Sequence, residues 1–170
     1  MLKRFYPQQY LPSVYDINFD ALFNDGKKFL LIDIDNTLAP HDVPEPDEKI
    51  LNFFRGLAER GFKVCLISNN KPKRVELFNK SLGLCAVPKA GKPKRRAVLQ
   101  ALALLGGTVS EAALIGDQLF TDVWCGNRTG VYTVLVKPIS ARDEWTVKLK
   151  RLPEKFIFKF YLRWAAQQSS

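Results

Sequence analysis

The chain has 170 residues, of which 46% are hydrophobic and 25% are charged, and this composition excludes an intrinsically disordered protein. Its formal net charge of +9 favours anionic partners such as phosphate esters, nucleic acid or an acidic membrane surface, without choosing among them. Three widely spaced cysteines indicate buried thiols in a reducing compartment, and no segment has the pattern of a signal peptide or a membrane span. These features predict a cytoplasmic protein.

Predicted strands and helices alternate along the middle of the chain. The lead, residues 1–28, is rich in aromatic residues and prolines, has a short helical pattern at 18–23, and is expected to pack over the domain. A buried strand at 29–34 is followed by a proline-rich loop and by an amphipathic helix that begins at Asp47 and ends before Gly61. Further strands are predicted at 62–67, 85–87, 112–115 and 131–136, and helices at 72–82, from the basic segment at 89–96 to 105, and at 121–128. This order predicts an α/β fold with a doubly wound parallel sheet.

Residues 138–170 form a basic and aromatic tail. Within its segment EKFIFKFYLRWAA, Lys155, Lys159 and Arg163 recur every fourth residue beside several aromatic side chains. As a helix, this segment has a basic stripe next to a broad aromatic surface, which fits either docking on the domain or contact with an anionic membrane. We expect a single domain over residues 1–170, made of the lead, a motif core at 29–136 and this tail.

Polar side chains stand where the predicted strands of the core end. They are Asp33 and Asp35 after the first strand, Ser68 and Asn69 after the second, Lys92 at a helix start, and Asp117 with Asp122 after a later strand. Each alone has an ordinary explanation as a turn residue, a helix cap or a solvated charge. Together they lie at the carboxyl edge of a parallel sheet, where such sheets bind ligands. The spacing of Asp33 and Asp35 also lets one metal ion or phosphoryl group meet both carboxylates.

These segments resemble the four motifs of the haloacid-dehalogenase-like (HAD) phosphohydrolases. The motifs are a hydrophobic run with DxDxT, a hydrophobic run with Ser or Thr, a Lys, and GDxxxxD; here they are LLIDIDNT, CLIS, Lys92-Pro93 and IGDQLFTD. The lead and the string DIDNTLAP are most similar to the YqeG-like branch of subfamily III, which is similar to mitochondrial phosphatases of phosphatidylglycerophosphate. The resemblance implies an HAD-like Rossmannoid fold and phosphatase activity.

The resemblance also implies roles for the acidic residues. Asp33 is expected to be the nucleophile that forms an aspartyl-phosphate, and Asp35 the acid that protonates the leaving oxygen and then activates water. The Asp33 carboxylate, the Asp35 backbone carbonyl and Asp117 are expected to bind Mg²⁺, a hard ion suited to oxygen ligands. Asp122 is expected to bind the ion or to hold its waters, and the sequence leaves these two roles open.

The remaining motif residues are expected to contact the substrate. Ser68, which also belongs to the catalytic set, is expected to hydrogen-bond the phosphoryl oxygens, aided by Asn69 or nearby backbone N–H groups, and Thr37 is assigned to substrate binding. Lys92 is expected to neutralise the charge that develops during transfer. Lys89 is the alternative for that role, and Lys92 is preferred because a Lys-Pro pair that leads into a helix is the pattern implied by the resemblance.

The intervals between the motifs are too short for a cap domain. One loop, one helix and a strand separate Thr37 from Ser68, and one helix with a short strand separates Ser68 from Lys92. The resemblance therefore implies an open site, which suits a substrate that is large or held at a surface. His41, in the loop after the first motif, either touches substrate or is a solvated loop residue.

The leading functional prediction is a Mg²⁺-dependent phosphomonoesterase that acts on phosphatidylglycerophosphate, from a peripheral position at the inner face of the membrane. One alternative is a phosphatase of a soluble sugar phosphate or nucleotide, and another is a non-catalytic module that binds anions or membranes. A receiver-like domain is disfavoured, because its acidic pair does not form a DxDxT pattern. Nucleic acid is not favoured as a partner, and nothing in the sequence indicates an oligomeric state.

Overall fold

The computed structural model describes residues 2–140 and 145–168, in which a six-stranded parallel sheet runs through the molecule. The strands are β1 (Gln9–Leu11), β2 (Phe29–Ile32), β3 (Lys63–Ile67), β4 (Cys85–Val87), β5 (Ala112–Gly116) and β6 (Tyr132–Val136), in the spatial order β1-β6-β5-β2-β3-β4. Every neighbouring pair is parallel. The prediction of a doubly wound parallel α/β sheet is therefore confirmed.

Alternation along the strands divides the hydrophobic core into two layers. In β2, the side chains of Leu30 and Ile32 belong to one buried cluster and those of Phe29 and Leu31 to another, because successive strand residues point to opposite faces. All four residues are buried, which is why the sequence shows an unbroken apolar run instead of an alternating one.

Helices cover both faces of this sheet. They are α1 (Phe19–Asn24), α2 (Glu48–Glu59), α3 (Pro72–Asn79), α4 (Arg96–Leu105), α5 (Trp124–Thr129) and α6 (Trp145–Gln168). The buried residues of α2 and α3 join the cluster that contains Leu30, and those of α4 and α5 join the cluster that contains Leu31. Asp47 caps α2 as predicted, since its carboxylate accepts a hydrogen bond from the Ile50 N–H at 2.9 Å.

Some element boundaries differ from the predictions for identifiable reasons. The helix predicted to reach residue 82 ends at Asn79, whose side-chain amide bonds both the N–H and the carbonyl of Leu84 and turns the chain. The helix predicted over 121–128 is divided into a π-helical turn, Leu119–Val123, and α5. The N-terminal lead, which is expected only to pack over the domain, also contributes the strand β1, and this strand pairs with β6 at the edge of the sheet.

The tail forms the long helix α6, one side of which docks on the domain. Ile157 and Tyr161 are buried, and Ile157 shares a third apolar cluster with Phe5 and Leu135. Among the described helices, none is long and apolar enough to cross a membrane. Residues 141–144, 169 and 170 of the predicted tail, and the side chain of Lys155, lie outside the part that the structure describes.

The core carries no cap domain, as predicted. The interval from Thr37 to Ser68, which is described throughout, contains only a loop, α2 and β3. The interval from Ser68 to Lys92 is also fully described and contains only α3 and β4. The carboxyl edge of the sheet is therefore left accessible between β2, β3 and β5.

Candidate active site

A cleft of about 430 Å³ opens at the carboxyl ends of the central strands. Its described lining comprises Asp33, Asp35, Asn36, His41, Ser68, Asn69, Asn70, Lys71, Lys92, Gln118 and Thr121. The lining residues come from four separate stretches of sequence, which meet here because parallel strands end at one edge of the sheet. The cleft therefore brings together side chains from all four motifs.

Lys92 is a buried ammonium group at the base of this cleft. Its Nζ donates hydrogen bonds to Asp33 Oδ1 at 2.7 Å, to Asp122 Oδ1 at 2.5 Å and to the Ile67 carbonyl at 2.9 Å. These three acceptors use all three protons of the ammonium group, so its charge has a fixed position. Lys89, the alternative in the sequence, is exposed, and the structure places Lys92 beside Asp33.

Burial and neighbouring charges shift the pKa values of both Lys92 and Asp33. Burial alone favours the neutral amine of Lys92, but the neighbouring Asp122 and Asp33 carboxylates outweigh it and raise the pKa of Lys92. Burial raises the pKa of Asp33 to about 7, against the opposing effect of Lys92 and with a further contribution from Asp122. The cluster thus combines a firmly charged lysine with a carboxylate that has lost most of its hydration.

Asp33, Asp117 and Asp122 form a group of three buried carboxylates. One oxygen of each lies within 4.8 Å of the others. Asp117 follows β5, while Asp122 lies on the π-helical turn, an element often found at functional sites. The two oxygens of Asp122 are both engaged, Oδ1 by Lys92 and Oδ2 by the Gln118 N–H at 3.1 Å.

This donor set fits a hard divalent cation. All three groups are carboxylates, the ligand type that Mg²⁺ prefers, and no thiol or imidazole belongs to the group. Two of these carboxylates, Asp33 and Asp122, contact the ammonium group of Lys92, and the mutual repulsion of three carboxylates this close together would be offset by a divalent cation among them. The residues present therefore suit the metal that the sequence motifs imply.

The Asp35 side chain points away from the three-carboxylate group and towards α3. Its Oδ2 accepts a hydrogen bond from Asn70 Nδ2 at 3.1 Å, and its Oδ1 lies 3.2 Å from Arg74 Nη2 and 3.5 Å from His41 Nδ1. The Asp35 carboxylate thus lines the cleft beside Asn70, His41 and Arg74. The two acidic residues of the first motif have different neighbours, although they are separated by one residue.

Asn69, Ser68 and Thr37, which are predicted to contact substrate, form hydrogen bonds within the protein in this structure. The Asn69 side chain clamps the backbone of Lys92, accepting from its N–H at 2.8 Å and donating to its carbonyl at 3.2 Å. Ser68 is buried and its hydroxyl accepts from the Asn70 N–H at 3.0 Å. Thr37 Oγ1 lies 3.5 Å from Asp117 Oδ1, at the long end of the hydrogen-bond range.

Two residues that contact Asp35, Arg74 and Asn70, are not among the site residues predicted from the sequence. Arg74 lies in α3 two residues after its first position, among other basic residues, and nothing local distinguishes it from Lys71 or Lys73. Asn70 adjoins the second motif, and this adjacency is the one local feature that could have identified it. His41 is exposed, as expected for a loop residue in solvent, and it also lines the cleft, as expected for a residue that touches substrate.

Comparison with known proteins agrees with the fold and the motifs. Residues 89–159 match the family model described as HAD-hydrolase-like. The chain is 34% identical to "Probable phosphatase YqeG" of Bacillus subtilis, over 96% of this chain and 99% of that protein. It is 26% identical to "Phosphatidylglycerophosphate phosphatase 1, chloroplastic" of Chlamydomonas reinhardtii, over 94% of this chain and 62% of that protein.

A solved structure shows the same fold at lower sequence similarity. It is the cobalt-bound form of the deoxy-D-mannose-octulosonate 8-phosphate phosphatase from Haemophilus influenzae, with a TM-score of 0.51 and 17% identity. The superposition covers 67% of this chain and 80% of that one. Since the match to the Bacillus protein extends over nearly the whole of both sequences, this chain belongs to the YqeG branch of the HAD-like phosphatases.

Proposed function

We propose that this phosphatase is a Mg²⁺-dependent phosphomonoesterase that acts through an aspartyl-phosphate on Asp33, with phosphatidylglycerophosphate at a membrane surface as its substrate. The observation that carries the catalytic part is the contact of 2.7 Å between Lys92 Nζ and Asp33 Oδ1 at the base of the cleft. A carboxylate beside a fixed cation, and open to the cleft, can approach an anionic phosphorus centre that an isolated carboxylate would repel.

In the proposed first step, an Asp33 carboxylate oxygen attacks phosphorus and the bond from phosphorus to the ester oxygen breaks. The Asp35 carboxyl group donates its proton to the departing alkoxide, which leaves as an alcohol. In the second step, Asp35 removes a proton from water, whose oxygen attacks phosphorus and releases inorganic phosphate and the Asp33 carboxylate. Lys92 stays charged throughout and neutralises the phosphoryl oxygens.

The proposed metal ligands are the Asp33 and Asp117 carboxylates and the Asp35 backbone carbonyl. Mg²⁺ bound there would supply charge neutralisation for the phosphoryl group. We assign Asp122 to holding Lys92 and the waters of the ion, because both of its carboxylate oxygens already accept hydrogen bonds from the protein. Asn69 would act as a positioning residue through its two hydrogen bonds to the backbone of Lys92.

The substrate proposal rests on the relatives together with the shape and charge of the molecule. A relative that aligns with 94% of this chain is named as a phosphatidylglycerophosphate phosphatase. The cleft has no cap over it, so a phosphate on a lipid headgroup can reach Asp33 while the lipid remains in a bilayer. The net charge of +9 favours a surface that carries anionic lipids.

The catalytic proposal is tested by replacing Asp33 with Asn. Because the amide is not a nucleophile, we expect Asp33→Asn to lower phosphate release at least about a thousandfold with an unchanged circular-dichroism spectrum. Asp117→Ala and treatment with EDTA should each lower turnover, and added Mg²⁺ should restore only the EDTA-treated wild type.

Asp42→Asn is the matched control, since Asp42 is an exposed acid in the loop that follows the first motif. It should retain wild-type turnover. Substantial activity of Asp33→Asn would reject this residue as nucleophile, and full activity in EDTA would reject the metal dependence. For the substrate, we expect phosphate release from phosphatidylglycerophosphate in vesicles to exceed release from sugar phosphates and nucleotides; the reverse order would identify a soluble ester as the substrate.

A further inference from the structure

An apolar groove of about 280 Å³ lies beside the catalytic cleft, where β6 and β1 end. Leu119, Leu135, Val136 and Phe158 are among its described lining residues. These side chains come from the π-helical turn, from β6 and from α6, so the groove depends on the docking of the tail. A groove with such walls offers contact to hydrocarbon and little to a sugar or a nucleobase.

The groove adjoins the cleft directly. Asp117 lines the groove and also belongs to the three-carboxylate group at the base of the cleft. The loop after β6, which forms the rim of the groove, is tied to the first motif by a hydrogen bond of 3.0 Å from the Ile139 N–H to the Asn36 carbonyl. Asn36 itself lines the cleft. A ligand whose phosphate lies in the cleft can therefore extend into the groove.

The groove also carries a cation at its edge. Lys137 is exposed and belongs to the lining. The one other charged residue among the described lining, besides Asp117, is Glu154, whose Oε1 already accepts a hydrogen bond from the Phe120 N–H at 3.0 Å. The cleft is thus adjoined by a groove that combines apolar walls with one exposed ammonium group.

We propose that this groove is a subsite for the diester and hydrocarbon part of a glycerophospholipid whose terminal phosphate monoester occupies the cleft. This inference rests on the proposed function and adds to it the part of the protein that recognises the lipid. Such a lipid has two anionic groups joined by one glycerol unit and followed by acyl chains. Lys137 matches the second anionic group, and the apolar walls match the glycerol backbone and the first methylene groups of a chain.

The test uses the full chain with Mg²⁺ and a dihexanoyl phosphatidylglycerophosphate that is kept monomeric, so that no membrane surface contributes. Glycerol 3-phosphate serves as the ester without diester or chains. We expect Lys137→Glu to lower kcat/KM for the short-chain lipid at least about tenfold and for glycerol 3-phosphate by less than about twofold. Lys137→Arg keeps the charge and should retain most of the activity towards the lipid.

Two further variants sharpen the test. Phe158→Ser removes an apolar wall and should raise KM for the short-chain lipid several-fold, with less effect on glycerol 3-phosphate. Lys28→Glu is the matched control, because it makes the same charge change at an exposed lysine before β2, at the opposite edge of the sheet. Lys28→Glu should leave kcat/KM unchanged for both substrates.

The outcomes separate this inference from the proposed function. Suppose that the wild type hydrolyses the lipid, but that Lys137→Glu and Phe158→Ser lower kcat/KM for both substrates equally or change it for neither. The groove is then not the lipid subsite, and the proposed function stands. The same conclusion follows if the wild type does not prefer the short-chain lipid to glycerol 3-phosphate. If the wild type turns over soluble esters and releases no phosphate from any form of the lipid, the proposed substrate is wrong and the groove assignment is wrong with it.

Discussion

Gly116, the last residue of β5, determines how closely this strand can approach Asp122. A Cβ atom at Gly116 would overlap Asp122 Cγ, much closer than real Cβ atoms approach another heavy atom. Asp122 in turn holds Lys92 through the contact of 2.5 Å between Oδ1 and Nζ. The glycine of the GDxxxxD motif is therefore required by the packing of Asp122 and Lys92, independently of backbone conformation.

We expect Gly116→Ala to displace Asp122 and to lower turnover at least about tenfold, because Lys92 would lose one of its two carboxylate partners. Steady-state kinetics together with circular dichroism provide the measurement. The control is Gly56→Ala within α2, where the nearest atom to an added Cβ belongs to the flexible side chain of Arg60. Gly56→Ala should keep full activity and slightly raise the melting temperature, and equal losses in the two variants would contradict the packing argument.

At the scale of elements, α6 joins the active site to the surface of the molecule. Among the side chains of this helix that the structure describes, Glu154, Ile157 and Tyr161 are buried. Glu154 accepts a hydrogen bond from the Phe120 N–H on the π-helical turn that carries Asp122. Aromatic contacts extend this docking, with the rings of Tyr10 and Phe158 4.6 Å apart. Deletion of the chain after Pro153 would remove these contacts, so it would disturb the turn that carries Asp122 as well as any surface role of the helix.

Single substitutions on the two sides of α6 separate these effects. Ile157→Ala should lower the free energy of unfolding by about 2–4 kcal/mol, because it opens a cavity in the cluster shared with Phe5 and Leu135. Leu162→Ala, on the exposed side, should change it by less than about 0.5 kcal/mol. Urea or thermal unfolding monitored by circular dichroism is the measurement. Similar small effects for both variants would mean that α6 is not docked as described.

At the scale of the whole molecule, the exposed side of α6 combines apolar and basic residues. Phe156, Phe160 and Leu162 are exposed large hydrophobic residues, and Lys159 and Arg163 are exposed beside them. The same helix lines the proposed lipid groove through Phe158. Docking and membrane contact, the two interpretations of the tail, are therefore compatible, because they use different sides of one helix.

We expect the full chain to sediment with anionic vesicles at low salt and to be released as the ionic strength rises. The double variant Lys159→Glu with Arg163→Glu should weaken this binding at least about tenfold, since each basic residue near an anionic surface contributes about 1 kcal/mol. Its turnover of a soluble ester should stay close to that of the wild type.

The matched control is Lys28→Glu with Lys63→Glu, which makes the same charge change at the amino edge of the sheet. Vesicle binding by this control should fall much less than binding by the α6 variant. Equal losses would show that net charge alone attracts the protein to vesicles, and protein that remains in the supernatant at low salt would exclude the surface role of α6.

The sequence by itself determined the fold class and the motif set, because both depend on local patterns. Unbroken apolar runs such as 29–32 show that a strand is buried on both faces, and the polar residues that follow them mark the edge where ligands bind. The short intervals between Thr37, Ser68 and Lys92 also exclude a cap domain without any structure. Each of these conclusions needs only the order and spacing of residue types.

Only the tertiary structure decided the features that depend on contacts between distant residues. Arg74 contacts Asp35, and Glu154 accepts a hydrogen bond from the turn that carries Asp122. The partners in each contact are tens of residues apart in the sequence, so no local pattern predicts them. The strand β1 has three residues, too few to show alternation, and exists because β6 provides hydrogen bonds for it. The side of α6 that docks was also undetermined, because aromatic residues surround the helix and only the surface of the folded domain selects which of them are buried.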